Sequence, residues 1–402
     1  MLTRRVQAFY SSLIRYSVTW TMVWAWFIIR TWDYRLWPIP LFCVKQRHDL
    51  SAWNMRLSAV SQSLGFLALT STAAAQAIRP PGHTDFSSWW PVREFKDAQQ
   101  ANLTRLFAEA DKVVKDDLSY DFAYRCIWKN ALYPEIGEVL GGSGFVKPSK
   151  AFDNLYFIGE VAVTAWAVDT GDGLIIIDAL YNGDEIERVL IPGLQSFGFE
   201  MSDVKGVIIT HEHIDHYGGA GYIQKEFGTT IYASEQVWEA LDGVEGCPVR
   251  DQTLADGDKV TIGGYSLTAY HTPGHSPGCM SLMIPVTDNG EPHLAGLYGG
   301  GGVPSSAGDK VTQMESFARF AELVEEQGAD ALLSNHVTQD RSLQNLEILA
   351  HRECSQGGEG EAKSCNARNP YIVGVDRFVR YLQTMSICVE VTAARNNQDL
   401  YY

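Results

Sequence analysis

The chain has few basic residues for its size. Its 402 residues include 32 lysines and arginines against 48 aspartates and glutamates, so the formal net charge is -16 at pH 7 with neutral histidines. Phosphate backbones repel a chain this acidic, which argues against nucleic acid as a partner. We expect a small-molecule substrate instead.

Long apolar runs and nucleotide-binding loops are also missing. The apolar run at residues 18–29 has about 12 residues, whereas a membrane-spanning helix needs roughly 20, so we expect no stable membrane span. The glycine-rich stretch 141–144 is not followed by the Lys-Ser/Thr pair and helix of a phosphate-binding loop. No internal repeat of solenoid length occurs.

The first 54 residues differ from the rest, and a second N-terminal segment follows them. At Met55 a secretory pattern begins, with Arg56, an apolar middle at 64–69 and a small-residue cleavage site at 73–77. We therefore interpret 55–77 as a signal peptide, 1–54 as a non-native or anchor extension, and the protein as secreted. The alternatives are membrane anchoring through residues 18–29, or an Ala/Ser-rich linker at 55–77.

Cysteine is sparse, at seven residues. Cleavage after Ala77 would remove Cys43 and leave an even six, which agrees with export. Cys354 and Cys365 flank a glycine-rich loop that would let them meet. The other four leave their pairing open because connectivity does not follow from sequence: Cys126, Cys247, Cys279 and Cys388.

The remainder divides into two predicted parts. Residues 78–150 form an extended and helical segment, with an amphipathic helix over 97–115 packed on the core. The main domain covers 151–395 and starts near Phe152. Strand-like runs come first (155–158, 161–168 and 173–178), and covering helices follow, which indicates an α/β fold.

One stretch, residues 206–219, concentrates the chemistry. It reads GVIITHEHIDHYGG and contains His211, His213, Asp215 and His216. Imidazole and carboxylate are ligands of Zn²⁺, and a cation would offset the cost of clustering them. The β-branched run 207–209 has the length of a buried strand, so the cluster lies where that strand ends. The spacing favours two metal positions.

Two further histidines occupy similar places. His275 ends the turn H-T-P-G-H, which follows a predicted strand at 265–270, and His336 follows a third apolar run. This constellation resembles the metallo-β-lactamase superfamily over roughly residues 152–395. The resemblance implies a four-layer αββα sandwich, a first zinc site at His211, His213 and His275, and a second at Asp215, His216 and His336.

The same resemblance assigns supporting roles. Asp178 matches an aspartate that shapes the metal loops without binding metal, and we expect Thr210 and His271 to support the ligands. One departure is notable: residues 297–302, LYGGGG, lack the bridging aspartate of most hydrolases in the family. Its absence resembles the third subclass of metallo-β-lactamases and predicts a more weakly held second zinc.

The resemblance implies hydrolysis by a zinc-activated water that Asp215 orients. We expect a cyclic amide such as a β-lactam as substrate, with lactonase or thioesterase activity as the alternative. An oxidoreductase of the flavodiiron kind is disfavoured because His213 stands where that class has a glutamate. A secreted binding protein without catalysis remains a further alternative.

Overall fold

The computed structural model describes residues 93–132, 144–355 and 364–400. All of them belong to one compact unit. The predicted extension at 1–54 and the predicted signal peptide at 55–77 lie outside the described residues. Within the described ranges, no helix is both long and apolar enough to cross a membrane.

The larger sheet of the described residues has seven strands, which lie side by side in chain order. The pairs from β1 to β4 are antiparallel and those from β4 to β7 are parallel. Its strands are β1 (Phe145–Phe152), β2 (Leu155–Glu160), β3 (Thr164–Asp169), β4 (Leu174–Ile177), β5 (Val204–Ile208), β6 (Thr230–Ser234) and β7 (Gln252–Leu254).

A second sheet of five strands has the order β12-β11-β10-β9-β8. It is antiparallel except for the parallel pair β11 and β12. Its strands are β8 (Lys259–Ile262), β9 (Tyr265–His271), β10 (Met280–Asp288), β11 (Glu291–Tyr298) and β12 (Ala331–Ser334), and a short hairpin pairs β13 (Cys354–Ser355) with β14 (Ser364–Cys365).

Helices flank both sheets. The described α-helices are α1 (Gln100–Val114), α2 (Ser119–Phe122), α3 (Gly183–Glu185), α4 (Ile191–Ser196), α5 (Ile214–Tyr217), α6 (Ala220–Phe227), α7 (Glu235–Leu241), α8 (Ala307–Gln327), α9 (Ser342–Ala350) and α10 (Val375–Arg395). π-Helical turns at Ala123–Leu132 and Ile186–Leu190 continue α2 and join α3 to α4, and a 3₁₀ turn covers Met201–Asp203.

Apolar side chains fill three layers. Ile176 and Ile186 belong to the layer between the first sheet and its helices. Trp166 and Ile284 belong to the layer between the two sheets. Phe320, with α1, α8 and α10, belongs to the layer behind the second sheet. The order helix, sheet, sheet, helix confirms the predicted αββα sandwich.

The first sheet starts earlier than the sequence pattern indicated. β1 begins at Phe145 and pairs with β2, whereas the predicted domain began at 151, near Phe152. The strand was missed because its residues 147–150, KPSK, are polar and include a proline. Pro148 falls where the pairing shifts between Val146 and Ser149, a position that an edge strand tolerates.

The predicted strand 161–168 is shorter in the structure, where β3 begins at Thr164. The chain turns first, and the Glu160 amide donates to the Val163 carbonyl over 2.8 Å. This turn brings the Ala162 carbonyl to His336, whose Nδ1 lies 3.1 Å away. The turn therefore positions the Ala162 carbonyl as a hydrogen-bond acceptor for a predicted metal ligand.

Disulfides tie the edges of the fold. Cys354 pairs with Cys365, as their flanking positions indicated, and Cys126 pairs with Cys388. The second bond joins the N-terminal helical segment to α10, where Leu106 of α1 is also buried. Cys279 is buried with a free thiol.

The layer between the sheets gives a stability prediction. Ile284 is fully buried there and Ile348 is 46% exposed. We expect Ile284→Ala to lower the free energy of unfolding by about 2–5 kcal/mol because it leaves a cavity, and Ile348→Ala to change it by less than about 1 kcal/mol. Urea unfolding of both variants measures the difference, and equal losses would contradict this packing.

Candidate metal centre

The ends of several strands meet at one edge of the sandwich. β4 and β5 are parallel, so Asp178 and the residues after Ile208 emerge together. The turn between β9 and β10 carries His275, and the end of β12 carries His336. The Met280 amide donates to the Thr210 carbonyl over 2.8 Å, which joins the two sheets at this edge. All six predicted ligands are therefore neighbours.

His211, His213 and His275 form a first group. Their candidate ligand atoms lie within 4.8 Å of one another. Nε2 of His211 is 3.1 Å from Nδ1 of His213. The His275 ring centroid is 4.9 Å from that of His211 and 4.6 Å from that of His213. Three imidazoles thus face one point.

Asp215, His216 and His336 form a second group with the same spread. Oδ2 of Asp215 lies 3.3 Å from Nε2 of His216 and 3.8 Å from Nε2 of His336. The rings of His211 and His216 are 4.0 Å apart between centroids, so the two groups adjoin. The arrangement can hold two metal ions side by side.

Outer hydrogen bonds set which ring nitrogen of each histidine is free. An acceptor that receives a hydrogen bond from one ring N–H keeps the proton on that nitrogen and leaves the other nitrogen unprotonated for a metal. In four of the rings Nδ1 faces such an acceptor: Thr210 Oγ1 for His211 (3.2 Å), Asp178 Oδ2 for His216 (2.7 Å), the Gly302 carbonyl for His275 (2.9 Å) and the Ala162 carbonyl for His336 (3.1 Å).

The electrostatics suit deprotonated ligands. Burial, reinforced by neighbouring histidines, lowers the pKa of His275 to about 4 and that of His336 to about 3. The pKa of His211 lies well below its usual value for the same reasons. These imidazoles are neutral at pH 7, the form that binds metal.

His216 behaves differently and shows that the donor set fits a cation. Burial opposes the charge, but Asp178 and Asp215 raise the pKa of His216 to about 10. Its Nε2 is buried without a hydrogen-bond partner, since Asp215 is near it but outside hydrogen-bonding geometry. A buried nitrogen of this kind facing a carboxylate fits a metal ligand, and nitrogen with oxygen suits Zn²⁺.

Asp178 and Thr210 connect the two groups. Asp178 accepts hydrogen bonds from the Thr210 amide (2.8 Å), the Thr210 hydroxyl (2.9 Å) and His216. Asn335 donates from Nδ2 to Thr210 Oγ1 over 3.0 Å. The sequence pattern indicated Asp178 and Thr210 but missed Asn335, whose position beside His336 was the available signal.

The glycine run after β11 explains the missing bridging aspartate. A Cβ at Gly302 would lie 2.6 Å from Cε1 of His275, and one at Gly300 would collide with the Cys279 sulfur. Gln313 donates to the carbonyls of both glycines, and the buried Arg125 donates to that of Gly301 over 2.6 Å. Side chains at Gly300 and Gly302 would disturb the packing around His275.

One face of α8 holds the turn that carries His275. Ser316 donates to the Pro273 carbonyl over 2.7 Å and Arg319 to that of His271 over 2.9 Å. His271 Nε2 donates to the Pro277 carbonyl over 2.8 Å. His271 therefore braces the two ends of the turn, and its side chain bonds to the turn's backbone instead of to His275.

Glu212 is a second residue that the sequence reading missed. It lies between His211 and His213, and its carboxylate accepts from the Ser276 hydroxyl (2.9 Å) and the Gly278 amide (3.2 Å). Its side chain thus joins the loop of two first-group histidines to the turn of the third. The signal was the glutamate inside the cluster itself.

The fold and the site define a class: an αββα protein with adjoining three-histidine and Asp-His-His groups. Residues 158–288 match the sequence profile of the Metallo-beta-lactamase superfamily. The match confirms, over these residues, the resemblance to this superfamily that the ligand pattern carried.

Three relatives align with part of the chain. The chain is 31% identical over 138 residues to an uncharacterized protein of Aquifex aeolicus, covering 31% of this chain and 61% of that one. It is 31% identical over 128 residues to a hydroxyacylglutathione hydrolase of Bdellovibrio bacteriovorus, covering 31% and 42%. The matches thus span less than two thirds of these two relatives. An N-acyl homoserine lactonase of a Bacillus species is 25% identical, covering 45% and 84%.

Two solved structures are similar to this chain, and the first of them shows the shared fold. The native FEZ-1 metallo-β-lactamase of Legionella gormanii has a TM-score of 0.50 and 21% identity, covering 60% of this chain and 94% of that one. BJP-1, a subclass B3 metallo-β-lactamase of Bradyrhizobium japonicum, has a TM-score of 0.47 and 27% identity, covering 60% and 91%.

The two groups predict separable metal binding. We expect the purified protein to bind up to two Zn²⁺ ions. His211→Ala should empty the first group, and His336→Ala should weaken mainly the second, because each removes one ligand of three. Metal analysis after dialysis against graded zinc measures both. Equal loss of both ions from His336→Ala would contradict the division.

Glu212 gives a second prediction. Glu212→Ala removes the acceptor for Ser276 and Gly278, so we expect about a 10–100-fold loss of zinc affinity at the first group, the range seen when an outer partner is removed. Glu212→Gln keeps one acceptor oxygen and should lose less. Competition with a zinc chelator gives both affinities, and an equal loss at the second group would contradict a local role.

Proposed function

We propose that the protein is a zinc-dependent hydrolase that opens a cyclic amide of the β-lactam kind. The observation that carries the proposal is the second group, whose candidate ligands are Asp215, His216 and His336. The glycines at 299–302 replace the segment that supplies a bridging aspartate in most hydrolases of the family. A ligand set of this kind resembles the third metallo-β-lactamase subclass.

Bound zinc would supply a Lewis acid and lower the pKa of a coordinated water to about 7. Asp215 is the residue that can orient that water. Burial opposes its ionisation, but the neighbouring imidazoles of His216 and His336 keep the pKa of Asp215 below its usual value. Its carboxylate therefore stays ionised at neutral pH and can accept a proton at Oδ2 or Oδ1.

The outer residues hold this geometry. Nδ1 of His216 donates a hydrogen bond to Asp178, and Nδ1 of His275 donates one to the Gly302 carbonyl. Both rings then present Nε2 to the centre without the need for reorientation during turnover. A fixed set of ligands limits the reorganisation that the reaction requires, which is the general basis of electrostatic catalysis.

A lactone is the second candidate substrate. The match to the Bacillus relative, which is named an N-acyl homoserine lactonase, extends over 84% of that relative's length. Lactone opening breaks a carbon–oxygen bond, whose leaving group is better than an amide nitrogen. It would therefore depend less on charge stabilisation by the second group. The Bdellovibrio relative, a hydroxyacylglutathione hydrolase, makes a thioester the third class to assay.

The disulfides support export of the protein, and the number of candidate metal ligands supports catalysis. The disulfides Cys126–Cys388 and Cys354–Cys365 favour an oxidising compartment and hence export, because cytosolic thiols are kept reduced. The six candidate metal ligands favour catalysis over a pure binding function, because a binding protein would not need two complete sets of metal ligands.

The substrate class is tested with Asp215→Asn, assayed on a cyclic amide, a lactone and a thioester. We expect cyclic-amide turnover to fall by at least about 100-fold and lactone turnover to fall far less, because the poor nitrogen leaving group needs the second group more. Chromogenic or pH-stat assays at fixed zinc measure each rate.

Asp184→Asn is the matched control, since Asp184 has a largely exposed carboxylate that pairs with Arg188 on the surface. It should leave all three rates unchanged. If the wild-type protein opens lactones or thioesters efficiently and leaves cyclic amides intact, the cyclic-amide proposal is wrong.

A further inference from the structure

A cavity of about 840 Å³ lies between α9, the segment 368–374 and the start of α10. It shares no residue with the metal centre. Four arginines line it: Arg341, Arg368, Arg377 and Arg380. Such a concentration of positive charge is unusual on a chain whose net charge is -16. We call this space the arginine cavity.

Two of the four arginines are neutralised. Arg341 forms a bidentate ion pair with Asp121, with Nε 2.9 Å from Oδ1. Arg380 donates to both carboxylate oxygens of Asp117, at 3.0 and 2.7 Å, and to Asp376 at 2.9 Å. Paired in this way, these guanidiniums have little charge left for another partner.

Arg377 is compensated less well. It donates to the Asp117 backbone carbonyl over 3.3 Å. Its nitrogens lie 3.5 Å from the Asp117 carboxylate and 3.6 Å from the Asp121 carboxylate, both of which other arginines already hold closely. Only 23% of its side chain is exposed. Burial, with the charges of Arg341 and Arg380, lowers its pKa. A guanidinium removed from water and only partly paired is costly, and an added anion would relieve that cost.

Arg368 carries a second positive charge that no carboxylate among the described residues pairs with. It is exposed, and within the part of the chain that the structure describes it forms no ion pair or hydrogen bond. Around the cavity, four guanidiniums therefore meet three carboxylates, those of Asp117, Asp121 and Asp376. The charge surplus lies at Arg368 and Arg377.

We propose that the arginine cavity binds a small multivalent oxyanion, a phosphate group, held mainly by Arg368 and Arg377. Guanidinium groups match such oxyanions because they donate parallel hydrogen bonds. The volume lies in the range of small-molecule sites. Ile348, Ile372 and Val375 also line the cavity and would accommodate an apolar part of the ligand.

The test is isothermal titration calorimetry of the zinc-loaded protein with inorganic phosphate at constant ionic strength, which holds charge screening fixed. We expect saturable binding at one site outside the metal centre. Arg377→Gln and Arg368→Gln should each weaken it by about tenfold or more, the effect of one charge-assisted hydrogen bond. Arg368→Gln removes no contact among the described residues, so it should not perturb folding.

Arg250→Gln is the matched control, because Arg250 pairs with Glu235 on the exposed surface and is not a lining residue of the cavity. It should bind phosphate as the wild type does. The proposal is overturned if the wild type binds no phosphate beyond a sodium chloride blank, or if all three variants bind it equally. Equal binding would assign the phosphate to another place, such as the metal centre.

Discussion

The metal centre depends most on the hydrogen bonds that the buried carboxylate of Asp178 accepts. It accepts three hydrogen bonds, two from Thr210 and one from His216, and it is fully buried. A buried carboxylate is stable only when donors surround it. Those donors come from the end of β5 and from α5, so satisfying one charge also aligns the elements that carry the two ligand groups. Its backbone has a φ of 63°, which few residues other than glycine adopt.

The second sheet positions its metal ligand by close backbone packing instead of by a buried charge. The turn with His275 and the glycine run reach their positions by close backbone packing, against α8 and against each other. Gly274, with a φ of 131°, packs directly on the backbone of Gln313. Small residues are needed there because the Gln313 side chain must reach the carbonyls of Gly300 and Gly302. The absence of a bridging carboxylate is thus coupled to how the helix supports the first ligand group.

The segment from β12 to α9 links the metal centre to the arginine cavity. Ser334 and Asn335 lie on the metal side, and five residues after His336 the chain reaches Arg341 on the cavity side. Asp340 holds the two ends together, since it accepts from the Ser334 amide at 2.8 Å and the Ser342 amide at 2.9 Å. One short loop therefore carries a candidate metal ligand and a cavity arginine within a rigid hydrogen-bonded turn.

The sequence by itself determined the residue types of both ligand groups, because they lie in local patterns at strand ends: a cluster within six residues, a Pro/Gly turn and an apolar run. It also indicated an α/β fold, since buried strands and amphipathic helices have periodic apolar residues, whereas the four-layer order was implied by the family resemblance. Tertiary structure decided what depends on residues far apart in the chain. Ala162 and His336 are 174 positions apart, and Glu212 meets Gly278 across 66. Backbone carbonyls and single carboxylates form no recognisable sequence pattern, so only the folded chain shows which histidine or which turn each one holds.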